Sequence, residues 1–559
     1  MRSLWVVLVA GAGCNVSVSG EPPVSLRIAP PSIVLDVDLA LPAPSAQLQI
    51  FAAYPSGTEI DVTADATIAI EGPQLGAFTA GTIVSDGLTG GTAIANVTYD
   101  QIAAVIPLTA NVHERRIIAG TATGAAEAFA SATPMAFDAH VDPADGVILP
   151  PNLGRMVVDF AAGDLDDTHQ ITVTAPYLDL EIVEPGVVGP RQLELSADEW
   201  SAIVHTATTT AFELEVASLQ SSAPATARVT TSTLELTDLP ASALLLGGTT
   251  GDITDAAAIR PTLWRYDMKA GAATQAYNNP PGACIACHLA VSADGSRYAA
   301  VMIDSTPATF KGVLIGSDGT LRAQSDPTAA PWASAAFDPS GKLLASYQGY
   351  LSLRDADSGA MIAPIAMPET ASAPTISPDG SALAYVTLDA GFGDAATQVV
   401  GNALYVRPFD AATATVGPYV ELFRGSAGVE LPTFSPDGKW VAYGELTNDP
   451  AHLNEVPIAT AAVRADGSGT TVQLTADPLD QLASWASQIA PGRVGGRAPE
   501  PMVWIAINST RPVGGNATSP TQIWLEAFYP DRGVITPAFH LPGQPATLKV
   551  LHGPIGLPK

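Results

Sequence analysis

The sequence predicts an all-β protein in which N-terminal β-sandwich domains are followed by a β-propeller of six blades, with seven as the alternative. Two observations carry this prediction. Short alternating runs of polar and apolar residues, separated by Pro and Gly clusters, extend over most of the chain, as in strands joined by turns. In the second half, a turn of the Ser-Pro-Asp-Gly type recurs at the spacing of propeller blades. The 47 Pro and 49 Gly among 559 residues supply the many turns that such a fold needs.

The composition combines few charged residues with a strongly acidic balance. Charged residues make up 14% of the chain and hydrophobic residues 47%, while the formal net charge is -30. The length fits three or four domains, and the apolar content is sufficient for several cores. Because an acidic surface repels phosphate backbones, we predict that the protein has no nucleic-acid partner.

Residues 1–14 have the pattern of an export signal. Arg2 is followed by an apolar run over residues 4–10 and then by small residues up to Cys14. This run is too short to remain in a bilayer as a spanning helix. The segment therefore predicts export, followed by a tether over residues 15–25.

The end of this segment resembles a bacterial lipoprotein signal, in which the Cys is acylated after cleavage. Such signals usually carry Leu three residues before the Cys, where this chain has Gly11. The resemblance implies lipidation of Cys14 and attachment to a membrane in the bacterial cell envelope, with an ordinary cleaved signal peptide as the alternative. Asn15 stands where an Asp would favour retention in the inner membrane, which points to the outer membrane.

Residues 26–114 are predicted to form the first β-sandwich. Runs such as 47–54 and 92–99 follow one another at near-regular spacing between Pro and Gly clusters. The long run 47–54, the following Gly57 and the step Asp61-Val-Thr63 resemble the group 2 bacterial Ig-like domain. This resemblance covers about residues 24–112 and implies a spacer or an adhesion module.

Residues 115–250 are predicted to form a second β-sandwich with one short helix. The segment Ser196-Ala-Asp-Glu199 is a capping box, so we expect a helix from Ala197 to about Thr206. His169 and His205 are isolated, without a second His or Cys at metal-ligand spacing, and we interpret both as ordinary surface or strand residues.

Residues 255–559 carry the internal repeat and are predicted to form the propeller. In the Ser-Pro-Asp-Gly copies Pro fixes φ at the second position, Asp accepts bonds from the turn backbone, and Gly takes the left-handed conformation. The glycines of four copies are 46, 39 and 58 residues apart, and these copies are Ser292-Ala-Asp-Gly295, Asp338-Pro-Ser-Gly341, Ser377-Pro-Asp-Gly380 and Ser435-Pro-Asp-Gly438.

These repeats resemble the WD40-like blades of the TolB-type propeller family. The segment Ala465-Asp-Gly-Ser-Gly469, leading to Gln473-Leu-Thr475, also matches the end of a blade in that family. The resemblance covers about residues 258–545 and implies the fold. Propellers serve binding, scaffolding and catalysis alike, so the partners of TolB itself are not transferred to this chain.

The segment Cys284-x-x-Cys287-His288 has the spacing of a c-type haem attachment site. Cys284 and Cys287 would bind the vinyl groups of one porphyrin, and His288 would be the proximal ligand of the haem iron. The motif therefore predicts one covalent haem c per chain, and a role in electron transfer or redox sensing with a redox or protein partner at the cell envelope.

Alignment of the repeats on their turns shows that the motif is no part of the repeat. Cys284 falls opposite Glu369 and Ala427, and His288 falls opposite Ala373 and Leu431. We therefore expect the motif in a loop where the chain enters a blade strand, because loops on rigid scaffolds commonly carry functional sites.

Other interpretations of the cysteines remain open. A 284–287 disulfide or a redox pair needs only these two residues, although a thioredoxin-like pair is expected at the start of a helix. Half of a zinc site would need further ligands, and the chain has no second Cys pair. The alternative function is therefore a non-enzymatic binding or scaffold lipoprotein with a 284–287 disulfide and no haem.

No further catalytic motif accompanies these residues, so we expect an electron carrier or a binding protein rather than an enzyme. The distal ligand of the haem is left open by the sequence. The candidates are Met268, Met302, Met361, Met367, Met502, His452, His540 and His552.

Overall fold

The structure is a computed structural model of the chain. It describes residues 21–557 except 80, 138–139, 164, 187–190, 250–260, 306–307, 327–331, 333, 348–349, 388–399, 447–457, 476, 487, 514–519 and 546. The predicted lipidation site Cys14 lies outside the described residues. The chain divides into two compact units, Met1–Glu114 and Arg115–Lys559, which are described separately below.

The first unit consists of β-strands whose residues alternate between buried and exposed positions. In β2 and β9 every second residue is buried, because successive side chains of a strand point to opposite faces. The strands are β1 Ser25–Ala29, β2 Ile33–Asp38, β3 Ser45–Gln47, β4 Gln49–Ala53, β5 Glu59–Asp61, β6 Thr67–Glu71, β7 Gly76–Thr79, β8 Thr82–Ser85, β9 Gly91–Tyr99 and β10 Ile102–Ile117.

Three sheets organise these strands. β4 lies between β1 and β5, and β8 lies between β3 and β7. The largest sheet of the unit places β9 between β6 and β10, and β2 pairs with β10 in parallel. The buried side chains of these strands, such as Leu35, Val97 and Leu108, form the core.

The second unit begins with strands and two helices. The long antiparallel strands β15, β18 and β19 pair side by side, and β14 pairs with β12 and β17 in a separate sheet. The elements are α1 Ala125–Ser131, β11 Thr133–Ala136, β12 Val141–Asp142, β13 Ile148–Leu149, β14 Val157–Phe160, β15 Thr168–Ala175, β16 Leu178–Pro185, β17 Arg191–Glu194, α2 Ala197–Thr206, β18 Phe212–Leu219 and β19 Thr226–Leu236.

Helix α2 confirms the predicted capping box. The Ser196 hydroxyl accepts the backbone N–H of Glu199 at 3.1 Å, and the Glu199 carboxylate accepts the backbone N–H of Ser196 at 2.6 Å. Helix α1 was not expected from the sequence, because it has no side-chain cap at Gly124 and only seven residues. In the described part of the chain no helix is both long and apolar enough to cross a membrane.

The remaining described strands form six successive antiparallel blades, which confirms the predicted propeller. They are β20 Leu244–Thr249, β21 Thr262–Asp267, β22 Ala272–Gln275, β23 Ala283–Val291, β24 Arg297–Ser305, β25 Ala308–Gly316, β26 Leu321–Gln324, β27 Ser334–Phe337, β28 Leu343–Tyr347, β29 Tyr350–Arg354, β30 Met361–Ile365, β31 Ala371–Ile376, β32 Ala382–Thr387, β33 Val400–Asp410, β34 Thr415–Val416, β35 Val420–Phe434, β36 Trp440–Leu446, β37 Ile458–Arg464, β38 Thr471–Gln473, β39 Asp480–Trp485, β40 Ala490–Gly492, β41 Glu500–Ser509, β42 Gln522–Tyr529, β43 Val534–Ile535, β44 Phe539–His540 and β45 Lys549–Gly556.

Strand pairing assigns these strands to blades. The second blade is β23–β26 and the third is β27–β30. β35 serves two blades. Its residues 420–424 and 429–430 pair with β33 in the fourth blade, and its residues 429–434 pair with β36 in the fifth. The sixth blade consists of β39, β41 and β42, to which the short strands β40, β43 and β44 are paired.

The first blade joins the two ends of the propeller. β20, β21 and β22 come from its start, and β45 comes from the end of the chain and pairs with β20. The innermost strands β45, β23, β27, β31 and β35 pack against one another in this order, and β39 packs against both β37 and β45. The blades therefore form a closed ring.

The recurring turns are held by the hydrogen bonds that their residue types predict. The Ser435 hydroxyl donates to Asp437 Oδ1 at 2.6 Å and accepts the backbone N–H of Trp440 at 3.0 Å. Ser377 makes the same two bonds with Asp379 and Ala382. Each of these turns thus links its own strand ends before the chain enters the second strand of the blade.

Candidate functional site

The six innermost strands surround a central cavity of about 300 Å³. Each of them contributes at least one residue to its wall, from Val291 of β23 to Ile555 of β45. Much of the lining is apolar, with Phe337, Phe434 and Trp485 as its aromatic members. Such a cavity lies at the lower end of the size range of small-molecule sites in proteins.

The Cys284-x-x-Cys287-His288 motif lies in β23, the innermost strand of the second blade. Cys284 is half-buried and pairs with Ile303 of β24. Leu289, directly after the motif, lines the central cavity. The sequence placed the motif in a loop, and that expectation was wrong, because strand pairing begins at Ala283, before the first cysteine.

An enlarged β-bulge interrupts β23 within the motif. Ala286 pairs with Val301 and Ala290 pairs with Ala299, so three residues of β23 lie opposite one residue of β24. These three residues are Cys287, His288 and Leu289. A bulge leaves its extra residues out of the ladder and redirects the strand, and bulges are frequent next to active sites.

Other blades have a shorter bulge at the same place. In the fifth blade Glu430 pairs with Gly444 and Thr433 pairs with Ala442, so only two residues of β35 lie opposite one residue of β36. The fourth and sixth blades show the same spacing in β31 and β39. The second blade therefore differs from these three by one added residue, and the enlarged bulge contains Cys287 and His288.

The bulge bears on whether the two thiols can serve one porphyrin. In a regular strand residues three apart point to opposite faces, which would separate Cys284 from Cys287. The bulge begins directly after Ala286 and breaks this alternation before Cys287. The side chains of Cys287 and His288 lie outside the described part of the structure.

The distal-ligand candidates occupy unrelated places. Met302 pairs with Ile285, so it lies on the opposite face of the sheet from Cys284, in an apolar core. Met268 and Met502 are buried as well, Met367 packs against another core cluster, and Met361 is exposed. His452 and the side chain of His552 are not among the described residues.

His540 is a structural residue of the sixth blade. Its Nε2 lies 2.7 Å from Gln522 Oε1, and its ring packs edge-on against Trp524. Burial lowers the pKa of His540 to about 3, so the imidazole is neutral. His169 is likewise buried, with Nδ1 at 2.9 Å from the Ser218 hydroxyl, which agrees with its interpretation as a strand histidine.

The structure also contains a buried carboxyl group, Glu430, that was not expected from the sequence. Glu430 is 7% exposed, and burial raises its pKa to about 7. A lone Glu in the apolar segment Val429-Glu-Leu-Pro432 is the one signal that could have identified it. Among the described residues, no group of three or more His, Cys, Asp or Glu is arranged to hold a metal ion.

No protein-family profile matches the sequence, and no curated protein is similar to it. Similar solved structures include hydrazine synthase from Kuenenia stuttgartiensis, with 12% identity, coverage of 50% of this chain and 89% of that chain, and a TM-score of 0.30. They also include TolB from Acinetobacter baumannii, with 17% identity, coverage of 65% and 86%, and a TM-score of 0.35. At these low scores the fold assignment rests on the strand pairing of this chain alone.

Proposed function

We propose that this protein is an exported cell-envelope lipoprotein whose propeller carries one covalent c-type haem. Cys284 and Cys287 hold the porphyrin, His288 is the proximal iron ligand, and Cys14 carries the lipid anchor, in the outer membrane. The observation that supports this proposal is the enlarged bulge, which holds Cys287 and His288 outside the strand ladder in the one blade that has the cysteines.

The haem would supply one-electron redox chemistry, for electron transfer or for redox sensing. The chain's own contribution is to fix the motif on an innermost strand of a closed ring. Ile285, between the two cysteines, is fully buried, and Met302 packs with it in the same core. Rigid support of this kind holds a bound group in one orientation relative to a redox partner.

The second candidate is a binding or scaffold lipoprotein without haem. The 284–287 disulfide that was expected with it is not seen in the described part of the structure, so this candidate is retained without the disulfide. The central cavity favours this candidate, because the inner strands of all six blades contribute to it. The two candidates predict different properties for the purified protein.

Haem staining on a denaturing gel separates them. The native chain is produced in a host with haem-attachment machinery, beside a Cys284→Ala/Cys287→Ala variant. We expect a stained band for the native chain and none for the variant, because only a thioether-linked haem survives denaturation. An unstained native chain that is folded and exported would contradict the haem proposal and favour the second candidate.

A Cys14→Ser variant is the matched control. It removes the third cysteine of the chain and leaves the motif intact. We expect it to retain the haem stain but to lose incorporation of labelled fatty acid. Incorporation equal to that of the native chain would contradict the lipid anchor without affecting the haem proposal.

A further inference from the structure

The outer face of the largest sheet in the first unit is largely apolar. In this sheet β2 pairs with β10, β10 with β9, and β9 with β6, and the inner face carries the buried core. On the outer face Val34 is 64% exposed, Val105 is 63% exposed and Ile94 is 47% exposed. A sheet with one solvated face normally places polar side chains on that face, so these residues need an explanation.

Strand register makes the exposed apolar residues neighbours. Pro107 of β10 lies opposite Ile94 of β9, and Val105 is two residues from Pro107 on the same face. Val34 pairs with Thr109, which is two residues from Pro107 on the other side. Residues opposite one another are about 5 Å apart, and residues two apart along a strand are about 7 Å apart. Together with Ala69 and Ala103 they form one continuous surface, the apolar patch, which consists of Val34, Ala69, Ile94, Ala103, Val105 and Pro107.

The centre of the apolar patch carries no charge. The outward-facing side chains of the two central strands include no Asp, Glu, Lys or Arg over residues 92–98 of β9 and 103–111 of β10, all of which the structure describes. Two acidic side chains of the same face, Glu71 and Asp36, lie on the flanking strands β6 and β2. The face therefore has an uncharged middle between two acidic sides.

The smaller sheet β1–β4–β5 of the same unit has an ordinary polar outer face. Arg27, Glu59 and Asp61 are exposed there, and Arg27 Nη2 lies 2.6 Å from Glu59 Oε2. Exposure to water thus selects charged residues on one face of this unit. A contiguous apolar surface on the other face is typical of a protein–protein contact.

We propose that two copies of this chain associate through the apolar patch, sheet against sheet, about a two-fold axis. In such a contact the same surface of each copy meets itself, so apolar side chains pack on apolar side chains. Each chain has a formal net charge of -30, and two copies repel wherever carboxylates meet. The uncharged middle of this face is a surface on which two acidic chains can approach without that repulsion.

The face is large enough for such a contact. Four strands at a spacing of about 4.8 Å span about 19 Å, and the residues of β10 that pair with β9 span about 30 Å. Because β2 and β6 are shorter, the face covers roughly 500 Å², and two copies would bury roughly 1,000 Å² together. Specific interfaces begin at about this area, so we expect a dimer of moderate affinity.

This contact is independent of the proposed haem. The apolar patch belongs to the first unit, whereas the Cys284-x-x-Cys287-His288 motif belongs to the second. Haem staining therefore reports on the motif, and the state of association reports on the patch. Either result can fail without the other.

Sedimentation equilibrium of the full-length chain tests the dimer. A Cys14→Ser background removes the proposed lipid anchor, so that no detergent is needed. We expect a monomer–dimer equilibrium with a Kd on the order of 10 μM. Val105→Asp should weaken the association at least about a hundredfold, because each copy then brings an unpaired carboxylate into the contact. Val105 is 63% exposed in the single chain, so this variant should fold.

Val84→Asp is the matched control. Val84 is 41% exposed and lies in β8, between β3 and β7 in a different sheet of the same unit. This variant adds the same charge outside the apolar patch and should form dimers like the native chain. A loss equal to that of Val105→Asp would show a general charge effect and would overturn the proposal.

The salt dependence of association is a second test that needs no variant. Association through an uncharged patch should strengthen from about 50 mM to about 500 mM NaCl, because salt screens the repulsion between the two chains. Dissociation at the higher salt concentration would show an ionic contact and would overturn the proposal. It is equally overturned if the native chain is monomeric at about 200 μM, or if folded Val105→Asp associates with native affinity. Val34→Asp replaces Val105→Asp if the latter does not fold.

Discussion

At the residue scale, Arg407 joins three parts of the fourth blade. Its guanidinium donates to both Glu369 oxygens at 2.7 and 2.8 Å, to the Tyr385 hydroxyl at 2.6 Å and to the Gly417 carbonyl at 2.6 Å. The Arg407 side chain is only 5% exposed. The group is therefore a largely buried network in which each guanidinium nitrogen has at least one acceptor.

Removal of the Arg407 guanidinium should lower the stability of the folded protein. We expect Arg407→Leu to lower the free energy of unfolding by about 3 kcal/mol, because Glu369 and Tyr385 lose their partner at a buried site. Arg424→Leu, which breaks the exposed pair with Glu421, should cost less than about 1 kcal/mol. Urea unfolding of both variants checks this, and equal losses would contradict the role of burial.

The buried carboxyl group of Asp142 should make the stability of the protein depend on pH. Burial raises its pKa to about 7, against about 3.9 in an unfolded chain, while its Oδ2 accepts the His540 N–H at 3.1 Å. The folded state binds the Asp142 proton more tightly than the unfolded chain does. The stabilisation that this bound proton contributes to the folded state is complete below pH ~4 and is lost as pH rises towards 7. Asp142→Asn does not titrate and should gain roughly 2 kcal/mol relative to the native chain between pH 5 and pH 8. A difference between the two chains that stays constant with pH would contradict this account.

Residues with a motif could be predicted from the sequence, and residues without one could not. Cys284, Cys287 and His288 were identified by spacing alone. Glu430 was missed, because its burial arises only in the folded blade, where strand pairing places it between Val400 and Gly444. A buried charge is defined by what packs around it, and sequence spacing does not contain that information.

At the element scale, each recurring turn that begins with Ser depends on one buried hydroxyl. Ser435 is 1% exposed, and its Oγ is the acceptor for the buried Trp440 N–H. We expect Ser435→Ala to cost about 1–2 kcal/mol, because that N–H is left without an acceptor. Ser468→Ala, in an exposed turn with Asp466, should cost less than about 0.5 kcal/mol. Thermal unfolding of both variants checks this. Similar shifts in Tm would contradict the role of the Ser435 hydroxyl as the acceptor for the Trp440 N–H.

The turns and the bulges differ in how far sequence could predict them. Pro, Asp and Gly at fixed positions specify the turn locally, and Gly380 and Gly438 do take positive φ values. The bulge at Cys287 depends on the register between β23 and β24, which no local pattern specifies. For this reason the motif was expected in a loop, although it lies in a strand.

At the scale of the whole molecule, closure of the propeller depends on β45. It pairs with β20, whose six residues are all buried. A chain that ends at Leu548 lacks this strand, and we expect it to lose cooperative unfolding because β20 becomes an open edge. A chain that ends at Leu557 keeps the strand and should unfold like the native chain. Calorimetry of both chains tests this, and a native transition in the shorter one would contradict closure by β45.

The class of the fold followed from the sequence, because four of the blades repeat one local turn, whereas the sequence left the number of blades at six or seven. Closure did not follow from the sequence, since β20 and β45 are some 300 residues apart and carry no shared motif. β20 also precedes the first recognisable repeat at Ser292, so nothing in its own residues assigns it to a blade.

We propose that the enlarged bulge of the second blade carries a covalent haem. The most direct measurement is an absorption spectrum of the exported native chain from a host with haem-attachment machinery, before and after reduction. The account predicts a Soret band, with sharp α and β bands in the reduced state, which are absent from Cys284→Ala/Cys287→Ala. A colourless native chain that is folded and exported would contradict it.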